Sequence, residues 1–227
     1  LNPKAHFQAE VSELGKRFGE KKGMHFKDEM DFLKSPLNFV VAHPLRLFDC
    51  CPISDGAAVV ILTSAEEAKR WTDTPIYIKG IGQASDTMSL HDRSDLTSIR
   101  GTVEAGRRAY RMAGITPKDV DLALVHDCFT IAEIIATEDL GFFEKGKGGE
   151  AAEEGITTIK GDKPVNTDGG LKAKGHPVGA TGVAMAYEVW KQLRGEAERR
   201  QIPDASTALI HNVGASGGTV VVQIFGR

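Results

Sequence analysis

The sequence predicts an α/β domain built on a mixed sheet. Short apolar runs alternate with longer segments of helical pattern, in the order strand, helix, strand, helix, helix, strand, strand. The run at 57–62 is apolar throughout rather than alternating, as expected of a strand covered on both faces. Pro75, Gly114, Gly141 and Gly195 close segments and turn the chain toward the next.

The elements follow in order. Residues 8–19 and 28–34 read as short helices. Pro36, Pro44 and Pro52 then keep the chain extended or turning. Within SDGAAVVILT at 54–63, the uniformly apolar stretch 57–62 predicts a strand. Thr63 and Glu66 are spaced as a capping box that opens a helix to about Arg70, and Pro75 closes the unit. A strand is expected at 76–82 (IYIKGIG) and a long helix at 98–113, stopped by Gly114. After the Thr116-Pro117 turn come a strand at 120–126 (VDLALVH) and a helix at 128–140, closed by Gly141. Residues 144–170, rich in Gly, Glu and Lys, predict a long loop, the kind that in compact domains is usually functional or disordered. A helix at 181–193, ending at Gly195, and strands at 208–212 and 219–225 finish the chain.

Composition narrows the function classes. Of 227 residues, 41% are hydrophobic and 26% charged, ordinary for a globular protein, and the net charge of −3 offers no electrostatic attraction to nucleic acid or a membrane surface. No run reaches the eighteen or so apolar residues of a spanning helix, and the N-terminus has no signal-peptide pattern. Cys50, Cys51 and Cys128 do not make a disulfide framework, and no CxxC pair indicates a structural zinc site. These features predict a cytoplasmic protein without a metal. The opening Leu1-Asn2-Pro3 reads as a cut in a longer polypeptide.

Three segments carry chemistry: His126-Asp127-Cys128-Phe129, Gly175-His176-Pro177 within GGLKAKGHPVGATG, and His211-Asn212-Val213-Gly214 within HNVGASGGT. Each lies at an expected strand end, beside a glycine or a helix start, where α/β sheets gather their ligands. Cys128 is placed where a strand hands over to a helix, whose N-terminal dipole favours a thiolate. His126 and His176 add to that, tuning the thiol for acid–base work. An inert core cysteine fits the local sequence equally well. A neutral imidazole N–H can hold an oxygen that becomes an enolate or oxyanion. His176 is crowded by glycines that let backbone approach a ligand closely, while His6, His25, His43 and His91 read as structural. Gly214 can aim its N–H at a carbonyl, although on the local sequence a plain loop glycine is the better reading. Neither Gly175, followed by His176, nor KGIGQAS at 79–85 satisfies a nucleotide-binding fingerprint.

Taken together, the blocks resemble the C-terminal half of the thiolase family. VNTDGGLKAKGHPVGATG at 165–182 matches the block around the family's catalytic histidine, and CCPISDGAAVVIL at 50–62 matches the block closing its N-terminal domain. HDCF at 126–129 stands in place of the usual Asn-Glu-Ala-Phe motif, and HNVGASGG at 211–218 in place of Cys-x-Gly-Gly. The His-Asp-Cys-Phe variant is similar to sterol-carrier-protein-type thiolases and archaeal acetoacetyl-CoA thiolases.

The resemblance implies a layered αβαβα architecture. In it, residues 1–45 end the loop domain that covers coenzyme A, residues 46–74 complete the N-terminal domain, and residues 75–227 form the C-terminal domain. It also implies Claisen chemistry on coenzyme A thioesters with no permanently bound cofactor. Cys128 would be the acid–base thiol, His126 and His176 the oxyanion donors, with His176 also activating the nucleophile. The Gly214 N–H would serve a second oxyanion hole, with Phe129 and Glu133 in support. Asn212 stands where ordinary thiolases keep a second cysteine. The nucleophilic cysteine would come from an N-terminal half, without which the chain is inactive. Implied partners are that half, further copies of the chain, and, by the archaeal likeness, a zinc-ribbon acyl-CoA-associated protein and hydroxymethylglutaryl-CoA synthase. A degradative 3-ketoacyl-CoA thiolase, a sterol side-chain aldolase and a noncatalytic scaffold are the alternatives. The intact His126/Cys128 pair speaks against the aldolase.

Overall fold

The computed structural model describes residues 23–227, so the helix expected at 8–19 lies outside the described residues. At the start of the described chain, α1 (Glu29–Lys34) is opened by Asp28, whose side chain accepts from the Asp31 N–H at 2.8 Å. Short strands β1 (Val40–Ala42) and β2 (Leu45–Arg46) pair antiparallel behind it. Phe32 packs edge-on against Phe26 and Phe48, with ring centres 5.2 and 5.0 Å away.

The main sheet holds β3 (Tyr77–Ala84), β4 (Leu122–Leu124), β5 (Thr207–Gly214) and β6 (Thr219–Gly226) in the order β3-β6-β5-β4. β6 runs antiparallel to both β3 and β5, and β4 runs parallel to β5, so the sheet is mixed as expected. Strand alternation splits the core in two. Leu209, Val220, Val222 and Ile224 face α3 (Arg100–Ala113) and α4 (Thr130–Asp139), meeting Ala105, Ala109 and Leu140. Leu122, Leu124, Ala208 and Ile210 face the other way, toward α7 (Thr181–Arg194), meeting Met185, Val189 and Leu193. Both long helices end as the sequence predicts. Gly114 and Gly195 adopt the left-handed conformation that caps a helix C-terminus, at φ 69° and 76°.

Three expectations need correction. The apolar stretch 57–62 forms no strand; Val59, Ile61 and Leu62 are 80, 92 and 74% exposed. A strand needs a neighbour for its backbone groups, and among the described residues this stretch has none. The helix after it is one turn, α2 (Ala65–Ala68), and its cap is Ser64 accepting from the Glu67 N–H, one residue later than the Thr63/Glu66 box. The long loop at 144–170 contains α5 (Gly148–Glu153) and leads into α6 (Gly170–Lys174). It is held to the sheet by a bridge from Val165 to Ala123.

Candidate active site

β4 ends at Leu124 and α4 begins only at Thr130, so the His126–Phe129 segment crosses the edge of the sheet as irregular chain. Cys128 therefore precedes the helix by two residues and does not sit in its first turn. Asn166 fixes the segment's start: its side-chain oxygen accepts from the Val125 N–H at 2.9 Å, and its amide donates to Glu133 at 2.7 Å. Asp127 turns inward, and its carboxylate accepts from the Leu171 N–H at 2.7 Å, capping α6. Gly170, at φ 66°, passes so close that a methyl group there would overlap the Asp127 carboxylate. Asp127 thus ties the His126–Phe129 segment to the helix that delivers Gly175-His176-Pro177. That second segment follows a helix, not a strand end as expected.

The result is that His126 and His176, fifty residues apart in sequence, meet edge to face with ring centres 4.8 Å apart. The His126 ring is buried, and its Nδ1 has no hydrogen-bond partner. Burial, reinforced by His176, pushes its pKa down to about 4, while the Asn212 side chain works in the opposite direction. Asn212 lies within β5, two residues before Gly214, which closes that strand opposite Thr219. His176 is also shifted down by burial. Its Nδ1 lies 2.7 Å from the Thr181 hydroxyl, which donates to the Pro177 carbonyl at 3.1 Å. With the hydroxyl donating to that carbonyl, Nδ1–H donates to Thr181. Neutral His176 therefore presents a bare Nε2.

Behind this pair, His211 is fully buried. Its Nε2 is 3.0 Å from the Thr102 hydroxyl on α3, and its Nδ1 accepts from the His126 N–H at 3.5 Å. Burial, with His126 adding to it, holds its pKa down at about 3. All three imidazoles are neutral at neutral pH.

The environment of Cys128 corrects an expectation. Burial raises the thiol to about 11, helped by Cys51 and Asp127. Neither a helix dipole nor an imidazolium overcomes this, because the helix starts later and the histidines carry no charge. Cys51, in the block expected to close another domain, lies alongside: its N–H donates to the Cys128 carbonyl at 2.8 Å. Sequence reasoning passed over Asp127, Asn166 and His211 as separate agents. All three stood within the quoted blocks, but only the fold reveals what they hold.

Asp127 makes a pH prediction. Burial, then Glu133, raise its carboxyl to about 7. A folded-state pKa above the unfolded value means the native state keeps the proton longer. The stability this contributes is full below about pH 4 and is lost as pH rises through about 7. His126 and His211, lowered on folding, titrate in the opposite sense: their contribution is full above about 6.5 and is lost as pH falls. The difference between proteins isolates Asp127. The urea midpoint of Asp127→Asn, relative to wild type, should rise steadily between pH 4 and 7. A flat difference would mean that Asp127 is ionised throughout.

The family model for thiolase C-terminal domain-like sequences matches residues 82–227. The chain belongs to the thiolase family. Its match to the acetyl-CoA acetyltransferase of Methanothermobacter thermautotrophicus is 60% identical over 188 residues, 83% of this chain and 49% of that protein. The match to the Methanocaldococcus jannaschii protein of the same name is 46% identical and covers 81 and 49%. Sterol carrier protein 2 of Oryctolagus cuniculus is 41% identical over 78 and 33%. Among solved structures, a chain of the Ltp2-ChsH2(DUF35) aldolase superposes with a TM-score of 0.72 at 25% identity, over 82% of this chain and 49% of that one. The chain thus spans a third to a half of the relatives it matches. Thiolase membership agrees with the layered arrangement, in which α3 and α4 cover one face of the sheet and α7 the other.

Proposed function

We propose that the chain supplies the acid–base and oxyanion side of an acyl-CoA C-acyltransferase, condensing two acetyl-CoA into acetoacetyl-CoA. In this reading a nucleophilic cysteine comes from an N-terminal thiolase half. The observation that carries it is the edge-to-face pair of neutral imidazoles, one with a buried, unpaired nitrogen. The likeness to archaeal acetyl-CoA acetyltransferases supports the choice of substrate.

Each residue then has a chemical task. The bare Nε2 of His176 takes the nucleophile's proton, and the resulting N–H holds the thioester oxygen. His126 donates to the enolate oxygen of the second acetyl-CoA, an interaction that typically lowers the barrier by about 3–4 kcal/mol. Cys128 exchanges the α-carbon proton. With its thiol as the resting form, it is ready to protonate the leaving carbanion in the cleavage direction and must be deprotonated first in the condensation direction. The Gly214 N–H serves the acyl oxygen. Residues 1–45 belong to a coenzyme A-covering loop domain, 46–74 to the N-terminal domain and 75–227 to the C-terminal domain. Assembly with the N-terminal half would cover the exposed apolar 57–62 stretch. The enzyme would act in the cytoplasm as a homo-oligomer.

The 227-residue chain incubated with acetyl-CoA should show no acetyl adduct by intact-mass spectrometry, and an added N-terminal half should restore thiolase activity. A stable adduct on Cys50, Cys51 or Cys128 would overturn the division of labour. A second reading, a noncatalytic scaffold for an acyl-CoA-binding partner, is favoured by the neighbour whose name pairs Ltp2 with a DUF35 protein. Copurification of such a partner, with no rescue by the N-terminal half, would select it.

A further inference from the structure

Cys50 and Cys51 lie antiparallel beside Cys128 and Phe129, between the turn that ends at Asp49 and the start of α4. The Cys50–Phe129 bridge sets the register, the Cys51 N–H donates to the Cys128 carbonyl at 2.8 Å, and the Thr130 hydroxyl donates to Asp49 at 3.1 Å. One step along that register puts Cys51 opposite Cys128. Facing residues of an antiparallel pair project to the same side with Cα atoms about 4.5–5.5 Å apart, within the roughly 4.4–6.8 Å a disulfide spans. Both cysteines pack against the same core cluster as Leu122 and Leu171. Cys50, by alternation, faces the other way, and its thiol lies 3.5 Å from the Arg46 carbonyl.

We propose that Cys51 and Cys128 form a paired-thiol modification site that takes a low-molecular-weight disulfide as its oxidant and closes to an internal disulfide. The Cys51 thiolate attacks one sulfur of the external disulfide, whose S–S bond breaks to release one small thiolate that takes up a proton. Cys128 then loses its proton to solvent, attacks the Cys51 sulfur of the mixed disulfide and expels the second small thiol. Two protein thiols are oxidised and one external disulfide is reduced to two thiols. Burial raises the Cys51 thiol, with Lys172 offsetting part of the rise, whereas burial carries Cys128 to about 11; Cys51 is therefore the first attacker. Closure ties up the sulfur assigned above to proton transfer; that consequence rests on the proposed function, whereas the link itself does not.

The test treats the 227-residue chain with oxidised glutathione at mildly alkaline pH, blocks free thiols with N-ethylmaleimide and maps tryptic peptides without reduction. The dominant cross-link should join the peptide holding Cys51 to the one holding Cys128, vanish on reduction, and persist in Cys50→Ser. Fragment ions that separate residues 50 and 51 decide the wild-type assignment should that variant fold poorly. A link through Cys50, a vicinal Cys50–Cys51 disulfide, or glutathione adducts alone would overturn the site. In the full-length enzyme, oxidation should lower condensation at least about tenfold, reversibly, as loss of an acid–base group does. If the link forms and condensation is unchanged, the modification site stands and the acid–base assignment of Cys128 falls.

Discussion

Serine in place of Cys128 should abolish carbon–carbon bond formation in the full-length enzyme while sparing acyl transfer to the nucleophile. The substitution keeps the side chain's size and removes its acidity. Burial already raises the thiol to about 11, and an alcohol at the same place would hold its proton far more tightly. Each pKa unit corresponds to about 1.4 kcal/mol between the two protonation states, so the base form of serine is out of reach. A positioned acid–base group typically contributes about 10²–10⁴-fold, and condensation should fall by at least that range. Labelled acetyl transfer to the nucleophile, measured beside acetoacetyl-CoA formation, separates the two steps. Loss of both together would indicate a collapsed site, and retention of both would remove Cys128 from the chemistry. The discriminating power comes from the fold: Cys128 lies between Asp127, which caps α6, and Phe129, which pairs with Cys50. The backbone that carries the mutated group is thus anchored on both sides.

What was legible in the sequence was what local chemistry decides. Gly114 and Gly195 had to stop their helices because a left-handed residue ends a helix wherever it falls. Apolar runs near 122, 209 and 222 had to be covered strands. His126 and His176 stood out because each lay in a short segment placed at an expected strand end, beside a glycine or a helix start. What was not legible depended on partners distant in the chain. The 57–62 stretch has the composition of a strand, but pairing is a property of the neighbour and not of the run. Asp127 read as a motif letter, whereas its role follows from the N–H of Leu171, forty-four residues later. The raised Cys128 pKa likewise depends on how deeply the site is covered, and no spacing of residues encodes that. His211 shows the same limit: its part in holding the His126 backbone needs Thr102 on α3 to fix the ring from behind.

Alanine at Gly82 should destabilise the chain by about 3 kcal/mol, at the upper end of overpacking costs. Gly82 lies on the buried face of β3, and α3 crosses it so closely that a methyl group would overlap the Ala105 carbonyl oxygen and come within 2.9 Å of the Ala109 nitrogen. Both obstacles are helix backbone, so no side chain can rotate away, and the whole helix must lift from the sheet. Lifting α3 opens the cluster of Ala105, Ala109, Val220 and Val222 and also moves Thr102, which fixes His211 behind His126. A defect at the far edge of the sheet should therefore reach the imidazole pair. Urea denaturation followed by circular dichroism would show the midpoint fall without a change in slope. Gly179→Ala, in open space with no positive φ, is the control and should stay within about 0.5 kcal/mol. Equal stability of the two variants would mean that α3 does not rest on the strand as closely as its backbone indicates.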